Sequence, residues 1–339
     1  MGFPKLVVTK YTFAPPSPLS YLGGRFVKPL RTEMTSISLD SLVANIGSST
    51  PNPVAVFDCD GTIIKGDIGE SMLYDQIEQF NFRTSPADIW LDHPEREEID
   101  MLFRTLERVA PEERKTHPLF APFTNMILSW YYDQLGEMKI SKGCSDIVSL
   151  FAGYPREEVK RLSEETFRGQ LEGPMGKRKL GKFTLPDGAR YIKESVELLE
   201  TLQHKGFEIW AVSGSSKWSV EPVFARFGIP DNRVIGIDLE EEDGLLLARP
   251  KTPIPISHGK VDFLRKFLNS PPEICVSDSP LDIPLLLFAK SLRVLVHSRD
   301  RSTEEFFALG NIPRDPSWHV IEEPTILDSS EPDRKASNG

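Results

Sequence analysis

The chain has no run of about 18 consecutive apolar residues, the least a membrane-crossing helix needs. Its longest candidate, Ile283 to Val296, is broken by Lys290, Ser291 and Arg293. Cysteine is scarce. Cys59, Cys144 and Cys275 are the 3 in 339 residues, widely spaced and without zinc-ligand spacing. Two of them sit in apolar, strand-like runs, so buried reduced thiols and a cytoplasmic location are expected. Positive charge is in deficit too: 40 Lys and Arg against 50 Asp and Glu leave a net charge of −10. A nucleic-acid partner is therefore not expected, because a phosphate backbone wants a basic surface. Any anionic substrate must be drawn by a local positive site.

What remains is an ordinary globular composition, 39% hydrophobic and 27% charged, in a chain long enough for two domains. Five Lys and Arg against the single Glu33 mark the first 33 residues, along with Pro15, Pro16, Pro18 and Gly23-Gly24. They hold no continuous apolar segment of the secretory kind. A largely disordered extension over residues 1–50 is the expectation, with an organelle-targeting leader as the alternative.

The chain is organised around Val54-Ala-Val-Phe-Asp58-Cys-Asp60-Gly-Thr62. Four apolar residues read as a short buried strand, and the polar burst marks its C-terminal end, where open α/β sheets bind ligands. Side chains alternate along a strand, so Asp58 and Asp60 start on one face, and Gly61 supplies a turn. Two carboxylates this close need a cation or a shared proton to relieve their repulsion. Downstream, Ile68, Met72, Leu73, Ile77 and Phe80 recur at helical steps, and helical periodicity persists to about residue 185 with no convincing strand. The basic loop Gly173 to Lys182 reads as a solvated linker, with attraction of a phosphorylated substrate as the other reading.

From residue 186 the character changes. A helix is expected over Ala189–Lys205, then a strand over Phe207–Val212 that breaks at Ser213-Gly214-Ser215-Ser216. A helix near Val220–Phe227, a strand over Arg233–Leu239 and a hairpin partner at Leu245–Ala248 follow. Ser257 is the expected N-cap of a helix carrying Lys260. Glu273–Val276 reads as a buried strand ending at Asp278 and Asp282; a Leu-rich helix and strands at Leu292–His297 and His319–Ile321 complete the pattern. Strands alternating with helices imply an α/β fold with a doubly wound parallel sheet. The sheet domain is expected over 51–68 and 186–325, with a helical cap inserted at 69–185 and a disordered tail over 326–339.

Four polar clusters, Asp58/Asp60/Thr62, Ser213/Gly214, Lys260 and Asp278/Asp282, fall in this order at strand ends or at a helix start. The set resembles the haloacid dehalogenase-like hydrolase superfamily, covering roughly 51–68 and 186–300. The long helical insertion resembles its phosphoserine phosphatase-like branch (subfamily IB), and Asp67-Ile-Gly-Glu70 looks like the matching segment of phosphorylcholine phosphatases. The resemblance implies a phosphatase with Asp58 as nucleophile and Asp60 as general acid and base. It implies Mg²⁺ on Asp58, the Asp60 carbonyl and Asp278, with Asp282 behind them orienting Lys260 or a metal-bound water. Phosphoryl contacts fall to Thr62, Ser213, Gly214 and Lys260, the last preferred over Lys217 and Lys251. Ser277 stands where the family usually has glycine, which weakens that match.

Asp67 and Glu70 are the candidates for a substrate ammonium; an acid at a helix N-terminus is the plainer reading of Asp67. Trp90, Trp130, Tyr131 and Tyr132 could box such a group by cation–π contact, helical core being the plainer alternative. Arg83 and Arg104 are candidates for holding a substrate carboxylate. The expected partner is a small phosphomonoester, phosphoserine- or phosphocholine-like, with neither nucleic acid nor membrane. A phosphotransferase or mutase on the same core, and a non-catalytic binding protein, are the alternatives.

Overall fold

The computed structural model describes residues 51–136, 139–297, 317–322 and 324–327. The N-terminal extension and residues 328–339 of the tail lie outside them.

The chain enters through β1 (Val54–Phe57), buried over its last three residues. After β2 (Ile64–Lys65) come α1 (Ile68–Glu78), α2 (Arg96–Glu107), α3 (Phe120–Gly136), α4 (Ile140–Ser149) and α5 (Arg156–Glu172), with one-turn helices at Pro86–Ile89 and Pro111–Arg114. Strands β3 (Gly176–Leu180), β4 (Phe183–Asp187) and β5 (Arg190–Tyr191) lead to α6 (Lys193–His204), β6 (Glu208–Ser216) and α7 (Lys217–Ala225). Next are β7 (Val234–Ile237), β8 (Leu239–Glu242), β9 (Leu245–Pro250), α8 (His258–Leu264) and β10 (Ile274–Ser277). The chain closes with α9 (Ile283–Phe288), β11 (Leu292–His297) and β12 (Trp318–Glu322).

Six strands form one parallel sheet in the order β12-β11-β10-β1-β6-β7. Alternation along β1 divides its side chains between two apolar layers. Ala55 and Phe57 join Val196 and Leu199 of α6 and Val220 and Phe224 of α7. Val56 joins Leu264 of α8 and Leu285 and Leu286 of α9 on the other face. The first strand is thus covered on both faces, which is why it reads as an unbroken apolar run.

The helical region has its own core. In α2, Ile99, Leu102, Phe103 and Leu106 are buried at helical spacing. That core continues without a break into the sheet region through Trp218, Ile237, Leu239 and Leu246. The junction is also clamped electrostatically. Arg156, first residue of α5, meets Asp238 at 2.7 Å and Glu241 at 3.0 Å, and Lys251 meets Asp238 at 2.8 Å. Among the described residues no helix is long and apolar enough to cross a membrane.

Several local expectations are corrected. The stretch before residue 185 is not wholly helical, because 176–187 folds into the β3–β4 hairpin. Its Arg178 is no loose linker cation but pairs with Asp75 and Asp187, both at 2.6 Å. Helix α6 starts at Lys193, after β5 has paired with β2. Ser257 does not cap α8 through its side chain; it sits at φ 53°. Strand β6 runs on through Ser216. Residues 325–327 are docked: Thr325 bonds Glu194, and the Leu327 amide donates to the Tyr191 carbonyl at 2.8 Å.

Burial alone would raise the Asp238 carboxyl, but hydrogen bonds from Lys251 and Arg156 hold it below its ordinary value. Its stabilising contribution is therefore complete above the ordinary carboxylate pKa of about 3.9 and is lost as pH falls through the lower folded value. Arg156→Ala should lower unfolding free energy by about 1–3 kcal/mol at neutral pH. Urea titrations of both forms at pH 7 and pH 3 test this, and an equal gap at the two pH values would contradict it.

Candidate active site

Beyond β1, the Asp58 amide donates to the Val276 carbonyl at 2.9 Å, extending the ladder with β10 by one residue. The Cys59 carbonyl then accepts from the amides of Thr62, Ile63 and Ile64, closing a tight turn with Gly61 at φ 75°. This turn directs Asp58 and Asp60 away from the sheet end. Asp58 is buried, and its Oδ1 accepts from the Cys59 amide at 2.8 Å and from Lys260 Nζ at 2.9 Å. Lys260, on α8, also meets Asp282 Oδ2 at 2.6 Å, and the same oxygen accepts from Ser277 Oγ at 2.7 Å.

Asp60 is held from two sides. Its Oδ1 accepts from the Ile68 amide opening α1, at 2.8 Å. Its Oδ2 accepts from Ser215 Oγ at 2.7 Å and Ser213 Oγ at 3.3 Å, both from the end of β6. Asp278 accepts from Thr62 Oγ1 at 3.1 Å. Its carboxylate lies where a side chain at 61 would be: a Cβ there would stand 2.1 Å from Asp278 Oδ2.

These groups surround a cavity of about 180 Å³. Asp58, Asp60, Asp67, Glu70, Ser213, Gly214, Lys260, Asp278 and Asp282 all line it, with Ser215, Tyr131 and Cys144. Thr62 does not: it is fully buried and supports Asp278 from behind. Ser215 went unrecognised in the sequence, although Ser213 and Ser215 alternate onto one face once β6 is extended. The competing lysines are engaged elsewhere, Lys217 with Glu221 and Lys251 with Asp238. Arg83 and Arg104 form exposed pairs with Glu158 and Asp88 and do not line the cavity. Trp90 and Trp130 pack with His93, also outside it.

Asp67 caps α1, its Oδ1 accepting from the Glu70 amide at 2.8 Å. Glu70 accepts from Tyr74 at 2.5 Å and from Tyr131 at 3.2 Å, and the Tyr74 and Tyr132 hydroxyls meet at 2.6 Å. The cavity is therefore strongly acidic: six carboxylates face one described cation, Lys260. Burial pushes the Asp58 carboxyl well above the ordinary range; Lys260 opposes this, and Asp282 and Asp278 add to it. Asp60 is pushed up to about 7, chiefly by burial and then by Asp67, against the hydrogen bonds from Ile68 and the two serines. Burial disfavours the Lys260 charge, yet Asp282 and Asp58 outweigh it and hold the ammonium protonated above its usual value.

Among the described residues no three His, Cys, Asp or Glu side chains converge closely enough to ring an ion by themselves. The donor set nonetheless suits Mg²⁺, which takes hard oxygens, one or two carboxylates at a time, and keeps several waters. The Asp58 and Asp278 carboxylates, with the Asp60 carbonyl, are oxygens of that kind and would supply that chemistry to a bound ion. Gly61 leaves the room for Asp278 to join them.

Residues 137–287 match the family model described as haloacid dehalogenase-like hydrolase. Among solved structures, a conserved protein of unknown function from Anaerococcus prevotii DSM 20548 is similar, with a TM-score of 0.66 and 19% identity over 82% of this chain and 89% of that one. A protein of unknown function from Bordetella pertussis Tohama I follows at 0.48 and 17% identity, over 80% and 99%. A substrate-bound phosphoserine phosphatase stands at 0.41 and 14%, over 76% and 91%. No curated protein matches. Residues 137–287 are thus similar to haloacid dehalogenase-like hydrolases, and the fold, a six-stranded parallel sheet with a helical region, is shared with the Anaerococcus prevotii protein.

Gly61→Ala should strain the turn and displace Asp278 at once. A cost of roughly 1–3 kcal/mol is expected from the positive φ and the collision. Denaturant unfolding checks it; an unchanged midpoint would mean that the turn relaxes freely.

Proposed function

We propose that the chain is a Mg²⁺-dependent phosphomonoester hydrolase working through an aspartyl-phosphate on Asp58. The observation that carries this reading is the convergence of Asp58, Asp60, Lys260 and Asp278 on one cavity at the ends of β1 and β10 and the start of α8. Phosphoryl transfer depends on positioning and charge neutralisation more than on covalent ingenuity. An ion on Asp58, the Asp60 carbonyl and Asp278 would supply that neutralisation for the phosphoryl oxygens.

The chain's own groups perform the rest. An Asp58 carboxylate oxygen attacks phosphorus, and the bond from phosphorus to the ester oxygen breaks. Asp60 delivers its proton to that leaving oxygen, a step typically contributing about 10²–10⁴-fold. Water then attacks the acyl phosphate while Asp60 takes back a proton, releasing phosphate and regenerating Asp58. The Ile68 amide and the Ser215 hydroxyl keep Asp60 aimed through both halves, leaving the Ser213 hydroxyl to turn to the phosphoryl group. Lys260 binds phosphoryl oxygen as a point charge, and the Ser213 hydroxyl and the backbone at Gly214 contribute hydrogen bonds. The helical region closes the cavity as a cap and excludes water.

The cavity wall favours an ammonium-bearing substrate. Glu70, held by Tyr74 and Tyr131, is the group we assign to that charge, with Asp67 adding to the local field. Lys260 is the one described cation in the lining and is shared by Asp58 and Asp282. A substrate carboxylate therefore has no counter-ion there, which favours headgroups of the phosphocholine or phosphoethanolamine kind over phosphoserine.

Asp58→Asn should abolish turnover of an aryl phosphate while circular dichroism stays native; near-wild-type rates would remove the nucleophile assignment. Chelation should silence the enzyme and Mg²⁺ restore it. Glu70→Gln should raise KM for phosphocholine by about tenfold, the worth of roughly 1.4 kcal/mol, and leave KM for the aryl phosphate nearly unchanged. Phosphate-release assays over amine-bearing and amine-free esters measure this. Equal losses on both substrates would assign Glu70 a purely structural role, and transfer to an added alcohol outpacing hydrolysis would make the chain a phosphotransferase.

A further inference from the structure

Behind the candidate site, across α1, lies a second cavity of about 310 Å³, bounded by α1, α5 and the β3–β4 hairpin. Met72 and Phe151 line both cavities, so the two share an apolar partition. Arg178 is the described cation in the lining of the second cavity, and all three of its guanidinium nitrogens are engaged. Nη1 meets Asp75 at 2.6 Å; Nε and Nη2 meet Asp187 Oδ1 at 2.8 and 2.6 Å. Asp75 and Asp187 thus share one guanidinium, with Glu78 3.6 Å from Nη1; Asp187 also accepts from Gln170 and the Gly188 amide. Gln76 also lines this cavity, 3% exposed; its Nε2 donates to the Leu150 carbonyl at 2.9 Å, while its Oε1 has no donor among the described residues. The wall therefore has acceptors and negative charge to spare, beside an apolar floor of Met72, Phe151 and Leu162.

We infer that this second cavity binds a small organic cation, an amine with N–H donors on an apolar stem, and that its occupancy changes substrate affinity through Met72 and Phe151. The volume falls within the range of small-ligand pockets. A ligand can shift an equilibrium only through differential contact with two states, and the shared partition supplies that contact.

Calorimetric titration of the full chain with agmatine and n-butylamine tests the site directly, whatever reaction the neighbouring cavity performs. Saturable binding is expected, unchanged within about twofold in Glu70→Gln and weakened at least tenfold, about 1.4 kcal/mol, in Gly169→Met. A Cβ at Gly169 meets nothing within 4 Å, so methionine fills the cavity without forcing the backbone. Asp187→Asn should also weaken binding, and Gly169→Met guards against a fold lost with the Arg178 pair. Saturating amine should shift KM for an aryl phosphate in the wild type and leave it fixed in Gly169→Met. Absence of saturable binding would overturn the site, as would binding abolished by Glu70→Gln and untouched by Gly169→Met. Binding with no KM shift would overturn the coupling.

Discussion

The buried contact of Lys260 with Asp58 and Asp282 is the constraint on which the rest of the site depends. Two carboxylates and one ammonium have left water together, each of them almost wholly buried. Such a group is tolerated only when its geometry is good and its remaining hydrogen-bonding capacity is met, and losing a partner typically costs about 3–5 kcal/mol. Here Ser277 and the Cys59 amide complete the set. Three elements are thereby fixed to one another: the end of β1, the start of α8 and the turn after β10. The sheet does more than carry the acids. Its parallel register, with Phe57 opposite Val276 and Ala211, sets the strand ends at a common level, so that their loops meet.

Charge in the cavity then follows from arithmetic. A single ammonium cannot balance the acids around it, so bound protons on Asp58 and Asp60 or an additional cation must relieve the repulsion. Serine at position 277 fits this picture. A glycine there would leave Asp282 Oδ2 to Lys260 alone, whereas the hydroxyl adds a second donor.

Much of this was legible in the chain. Asp58, Asp60, Ser213, Lys260, Asp278 and Asp282 are visible because each sits where an apolar run stops or a helix starts, and strand periodicity is a local signal. The resemblance counts Thr62 among the phosphate contacts, but the turn on the Cys59 carbonyl leaves it fully buried and donating to Asp278. The β3–β4 hairpin left no apolar alternation in Gly176-Lys-Arg-Lys-Leu180; Arg178 and partners far off in sequence hold it, which no local window detects. Likewise β6 runs on through four residues of serine and glycine, bulging after Val212 and meeting β7 again with Ser216 opposite Ile237. Tertiary pairing outweighed local propensity there.

Trp218 belongs to the sheet region by chain position and to the helical region by packing, with its ring 6.0 Å from that of Phe151. Lifting the helical layer clear would bring both aromatics into water, at roughly 1.5–3 kcal/mol for each large side chain. The helical and sheet regions are consequently joined by a shared aromatic seam, so parting them carries an exposure cost that a purely polar junction would lack.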